Sequence, residues 1–250
     1  MLSGGEVGVR EHGLRIVVHV FVALGLTVLV MQLLPRLVMY ALAYVSSFAS
    51  MLEESAFLSV PVELAARLGG ALVFVRVLGQ GDWASCGFKA KGNLMIRQAF
   101  IVGLVVAFAM PFVLSLVIIA GGLDPMGPFI EFPSVLHHIL IGLIFASVTE
   151  EIVFRGLVQS YLSVHISGFL VLFKRQLTLP ALAGATFFAV GHLSLLTLGV
   201  ALPQVVAIIL GAFILGIAAG YFRDKTGSLV GPIIIHMLGN APGILAYLGQ

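Results

Sequence analysis

Charge is scarce in this chain. Of its 250 residues only 10% are Asp, Glu, Lys or Arg, while 60% are hydrophobic and the mean hydropathy is +1.15. That balance excludes an ordinary water-soluble globular domain. The formal net charge of +2 is too small for a nucleic-acid surface, so the pI near 8.9 reads as topology signal and no nucleic-acid partner is implied. A single cysteine, Cys86, excludes an internal disulfide and any cysteine-based metal site. No H-E-x-x-H zinc-protease motif occurs, no A-x-A pattern closes the first apolar run, and no repeat or linker divides the chain. Residues 1–250 therefore read as one integral membrane domain whose first apolar run is a retained helix.

What is present is a series of long apolar runs. A hydrocarbon core about 30 Å thick needs roughly 20 apolar residues at 1.5 Å per residue. Runs of that order cover residues 16–34, 37–60, 62–78, 99–120, 135–157, 180–198, 203–222 and 229–248. They predict an all-α fold, a polytopic transmembrane bundle of about seven or eight helices. The second and third runs are interrupted by Glu53, Glu54, Glu63 and Arg67, and a partial or interfacial helix fits there equally well.

Orientation follows from the basic residues. Lys89, Lys91 and Arg97, then Lys174 and Arg175, then Arg223 and Lys225 mark three cytosolic connections, and the opposite loops, with Asp124 and Glu131, hold no Lys or Arg. Three full crossings before residue 79 would place Arg10 and Arg15 outside, so either the rule fails there or one early segment does not cross.

Ionisable groups inside a spanning helix cost roughly 2.5–3.5 kcal/mol each on insertion scales, so each needs a reason. Glu150, Glu151 and Arg155 interrupt a run that starts after Pro133 with Ser134 as its expected N-cap. Glu151 and Arg155 are spaced i, i+4 with the acid first, the favourable order for an ion pair. Glu150 points about 100° away and has no such partner, which leaves it for chemistry or, on the plainer reading, makes all three a charged helix end. Phe188 and His192 share one face of the 180–198 helix, and His236 and Asn240 one face of the last helix. Measured from the inferred cytosolic ends at about 1.5 Å per residue, Glu150, His192, His236 and Asn240 fall roughly 9–18 Å deep. Polar groups gathered at one depth point to a common water-filled cavity opening toward the cytosol.

These types suffice for amide hydrolysis. A desolvated Glu150 is a suitable general base, His192 can hold and polarise water, and Asn240 and His236 can donate hydrogen bonds to the oxyanion. Two histidines and a carboxylate could equally ligate a catalytic zinc. Intramembrane carboxylates also mark transporters, which a lack of inverted repeats disfavours here. His137 and His138 fall near the opposite end of the helix, and His12, His19 and His165 lie outside the constellation. Gly211, Gly216 and Gly220 suit close helix packing.

Glu150-Glu151-Ile-Val-Phe154-Arg155-Gly156, Phe188-x-x-x-His192 and His236-x-x-x-Asn240 resemble, in order and spacing, the three motifs of the CAAX protease and bacteriocin-processing family, which includes the Ras-converting enzymes. The resemblance spans about residues 99–248, taken as the catalytic core. It implies an intramembrane endopeptidase without a metal cofactor, zinc being the alternative. Glu150 and His192 would activate water, His236 and Asn240 would stabilise the oxyanion, and Glu151, Arg155 and Phe188 would support them. The implied partners are the lipid bilayer and a membrane-associated peptide or protein substrate. The implied location is an integral, multi-pass membrane protein, in the cell membrane if prokaryotic. A non-catalytic immunity protein is the remaining alternative.

Overall fold

The computed structural model describes residues 4–44, 56–122, 134–172 and 174–248. Helix dominates. The elements are α1 (Gly4–Val28), α2 (Leu34–Ala43), α3 (Ala56–Leu78), α4 (Ile96–Gly121), a composite helix over residues 135–165 that includes α5 (Val135–His137), α6 (Ala146–Glu151) and α7 (Ser160–His165), then α8 (Leu179–Gly191), α9 (Leu202–Thr226) and α10 (Val230–Leu248). Among the described residues, five stretches are long and apolar enough to cross a membrane by length and composition: Gly13–Ala43, Leu58–Leu78, Ile96–Gly121, Leu179–Leu198 and Leu202–Thr226. This makes a predominantly helical integral membrane protein. The expected seven or eight spans are not confirmed on that criterion, and two features of the helices bear on the count.

First, the sequence reading parts the chain near Pro35, but the helix runs through it. Proline lacks an N–H, and in a regular helix its ring collides with the carbonyl four residues back. A π turn, Leu29–Leu33, joins α1 to α2, with the Leu34 N–H reaching Leu29 O and Pro35 in the first turn of α2. The wider turn absorbs the misfit. Residues 45–55 of the expected second segment, with Glu53 and Glu54, lie outside the described residues, and its last five residues open α3. Second, the helix over residues 135–165 is not regular: π segments His138–Phe145 and Ile152–Gln159 flank α6 on both sides. Single π turns inside α-helices concentrate at functional sites.

The all-α reading also misses one small element. Strands β1 (Phe169–Leu172) and β2 (Arg175–Thr178) form an antiparallel hairpin with Phe169 opposite Thr178 and Leu172 opposite Arg175. Its exit is fixed by the start of α8, where Thr178 Oγ1 accepts the Ala181 N–H at 3.2 Å and Pro180 fills the first turn.

Small residues set the closest approach in the bundle. A Cβ added to Gly216 of α9 would fall 2.9 Å from both Cα and Cβ of Ala185 in α8, and one on Gly220 would fall 3.0 Å from Ala181 Cβ. Two glycines four apart thus face two alanines four apart, the close packing the sequence predicts for Gly216 and Gly220. Because a backbone atom is the obstacle, Gly216→Ala should force the helices apart and cost about 1–3 kcal/mol. Thermal unfolding in detergent checks this, and an unchanged midpoint would show that the contact has slack.

Candidate active site

Two helices run antiparallel across the site and are joined by polar rungs. Asn240 Nδ2 donates to Ser147 Oγ at 3.2 Å, and one turn along, His236 Nδ1 meets Glu151 Oε1 at 2.7 Å. One turn forward in residues 135–165 is one turn back in α10. The same stripe continues: Arg155 Nη1 donates to Glu151 Oε1 at 2.9 Å and Nη2 to the Gly216 carbonyl at 3.1 Å. One turn further, Gln159 Nε2 donates to Gly220 O at 3.2 Å and to Asp224 Oδ1 at 2.8 Å. The glycines of α9 therefore do two things. They admit α8, and they leave bare carbonyls where Arg155 and Gln159 can reach them.

The two glutamates have different surroundings. Glu151 and Arg155 have no exposed side-chain surface, whereas 21% of the Glu150 side chain is accessible. The i, i+4 pair expected from the spacing is present, and Glu150 stands apart from it. His236 lies between the two carboxylates, with Nδ1 on Glu151 and Nε2 3.5 Å from Glu150 Oε2. Both its ring nitrogens are turned to carboxylates rather than to open space.

Phe188 is buried at the centre. Its ring packs edge-on to His192 at 5.0 Å and to His236 at 5.3 Å between centroids, and the Arg155 guanidinium sits 5.1 Å from its centre. It separates the two imidazoles while fixing the position of each. His192 falls where α8 passes into the 3-10 turn His192–Leu198. Its Nδ1 lies 2.9 Å from Phe188 O. A carbonyl only accepts, so Nδ1 carries the proton, and in the neutral ring Nε2 is left as an acceptor.

Glu150, Glu151, Arg155 and His236 are thus in direct contact, Asn240 is one rung away through Ser147, and His192 joins them across Phe188. Sequence reasoning missed Ser147 and Gln159. Their signal was available in the spacing, since Ser147, Glu151, Arg155 and Gln159 recur every four residues. Ser134 is extended as an N-cap should be, but its hydroxyl bonds His137 Nδ1 at 2.7 Å instead of a backbone N–H. His19 and His165, set aside on sequence, stack at 3.9 Å beside Tyr161. A cavity of about 290 Å³ lies beyond Glu150 toward His165, and none of Glu150, His192, His236 and Asn240 lines it.

Among the described residues no three His, Cys, Asp or Glu side chains gather as a metal-holding set.

The fold and site define an integral membrane protein with a buried carboxylate and histidine centre. Residues 132–242 match the family model for type II CAAX prenyl endopeptidase Rce1-like proteins, which bears out the resemblance to the CAAX protease family and takes in every residue from Glu150 to Asn240. No curated protein and no solved structure matches the chain.

Proposed function

We propose that this chain is a multi-pass, CAAX-type intramembrane endopeptidase that hydrolyses a peptide bond of a membrane-associated substrate near the cytosolic face. The observation that carries the reading is the series Arg155, Glu151, His236, Glu150, in which a fully buried ion pair holds an imidazole against one accessible carboxylate. Glu150, Glu151 and Arg155 sum to one negative charge. His236 stands between the two carboxylates with one ring nitrogen turned to each, so the buried polar groups meet one another and not the apolar interior.

In this reading water lies between Glu150 and His192 Nε2, both acceptors. Glu150 takes one proton as the oxygen attacks the scissile carbonyl and returns it to the leaving amine. Asn240 Nδ2, held by Ser147, supplies an oxyanion donor by a rotation of its amide. His236 acts as a positioning residue for Glu150 in the resting state, and it reaches the oxyanion only by releasing that carboxylate. No metal takes part in this mechanism.

The multi-pass arrangement is supported by the fusion of α1 and α2. With one crossing before residue 44 and one in α3, Arg15 falls on the same side as Lys89, Lys91 and Arg97, so the basic residues alternate consistently along the chain.

Cleavage of a membrane-anchored peptide by purified chain in liposomes tests the activity. Elemental analysis tests the cofactor: activity with no stoichiometric metal and no loss on chelation is expected, and one zinc per chain, with activity lost on chelation and restored by zinc alone, would overturn the metal-free mechanism. Asn240→Ala should lower kcat by about 10²–10³-fold with the protein still folded, the usual effect of losing one oxyanion donor. An unchanged kcat would remove Asn240 from that role.

A further inference from the structure

The cavity of about 290 Å³ beyond Glu150 has a feature that the catalytic reading does not use. Arg223, near the end of α9, lines it and is only 8% exposed. Its Nη2 donates to Ser85 O at 2.6 Å and to Ser160 Oγ at 3.1 Å, both neutral acceptors. Its Nε is buried with no hydrogen-bond partner among the described residues, and the ion pairs found there include none to Arg223. The adjacent Asp224 also borders the cavity, but it is exposed, and its two oxygens accept from Gln159 at 2.8 Å and Thr178 at 2.7 Å. A guanidinium is charged at any ordinary pH, so among the described residues this buried cation has no carboxylate within ion-pair distance, Asp224 acting on it only from further off, and it stands beside an open volume.

The pocket is shaped around that cation. Gly87 has φ +97, and a Cβ there would stand 2.8 Å from Arg223 Nε, so the loop passes the guanidinium closely only because it is glycine. Around the polar floor stand apolar walls of Val75, Leu78, Leu157 and Val164. Two of these, Leu78 and Val164, are 43% and 79% exposed and carry the apolar surface from the cavity to the outside of the bundle. At the rim, partial burial together with His19 and Arg15 holds the His165 imidazole below the ordinary histidine range.

We propose that this cavity binds the headgroup of an anionic phospholipid, its phosphate on Arg223 and its first acyl carbons along Leu78 and Val164. A phosphate oxygen is an acceptor of the kind that Nε lacks, and guanidinium–phosphate hydrogen bonds are among the strong, charge-assisted kind. The buried cation outweighs the exposed Asp224 carboxylate, which solvent screens. The apolar walls favour a lipid over free phosphate, whose charge they would leave without compensating contacts. The volume lies near the lower end of the roughly 300–1,000 Å³ typical of ligand pockets, which suits a headgroup rather than a whole lipid. The site is separate from the glutamates, so it stands or falls independently of the proposed catalysis.

Native mass spectrometry of the full chain in detergent tests this, with phosphatidylglycerol, phosphatidylcholine and inorganic phosphate titrated separately. One phosphatidylglycerol per chain should be retained at a concentration about tenfold below that for phosphatidylcholine, as expected for one charge-assisted contact. Arg223→Gln should erase that preference. Because removing a buried arginine can disturb folding, Val164→Trp at the rim is the companion variant. It leaves Arg223 in place, fills the entrance, and should weaken phosphatidylglycerol binding by about tenfold. Equal retention of the two lipids, or full binding by Val164→Trp, overturns the proposal. Displacement of phosphatidylglycerol by equimolar inorganic phosphate also overturns it, reassigning the cavity to a free anion.

Discussion

Glu150→Gln is expected to lower peptide cleavage by about 10²–10⁴-fold, the range general acid–base catalysis contributes, while leaving the protein folded. The substitution keeps size and shape, and the amide oxygen can still accept from His236 Nε2. It removes only the capacity to take up a proton from water. Glu150 is the partly accessible member of the pair, 21% exposed against none for Glu151, so the change leaves the fully buried Glu151–Arg155 ion pair in place. The measurement is the cleavage rate of a reporter peptide in proteoliposomes, with thermal unfolding recorded on the same preparation. Wild-type activity in the variant would sink the assignment of Glu150 as base. Solute uptake in place of cleavage would favour the transporter reading.

Much of this site is legible in residue spacing, and what is not legible has identifiable causes. The pairing of Glu151 with Arg155 follows from i, i+4 geometry, and the structure shows it at 2.9 Å. The distinction between Glu150 and Glu151 follows from the same rule, since neighbouring residues on a helix point about 100° apart. Spacing within one helix says nothing about which groups meet across helices. The placement of His236 between both glutamates, the Ser147–Asn240 rung and the bare carbonyls of Gly216 and Gly220 are tertiary facts. The segment count is not confirmed for a different reason. Hydropathy records where apolar residues lie but not whether the helix stays regular through Pro35 or over residues 138–159, where π turns intervene. The hairpin Phe169–Thr178 was hidden in the same way. Four consecutive apolar residues, Phe169 to Leu172, fit a short strand or a helix turn equally well.

Arg155→Ala should damage folding before chemistry, by about 3–5 kcal/mol, because breaking a fully buried pair strands the remaining charge. The guanidinium here serves three partners at once: Glu151 Oε1 at 2.9 Å, Gly216 O at 3.1 Å and the Phe188 ring at 5.1 Å. Its loss leaves Glu151 with His236 as its one remaining hydrogen-bond partner among the described residues, since Oε2 already has none. It also opens a void between α9 and residues 135–165 where the largest fully buried side chain had been. The double variant Glu151→Gln with Arg155→Met separates these contributions. It removes both charges, restores most of the lost volume and leaves the Gln amide oxygen as an acceptor for His236 Nδ1. It should therefore recover a large part of the stability, with a coupling energy of about 1–3 kcal/mol in the double-mutant cycle, typical of residues in one network. Unfolding of the four proteins in detergent gives that coupling directly. If Arg155→Ala instead unfolds at the wild-type midpoint but cleaves nothing, Arg155 acts on the reacting groups themselves. The ion pair would then be part of the chemistry and not the frame that holds His236 against Glu150.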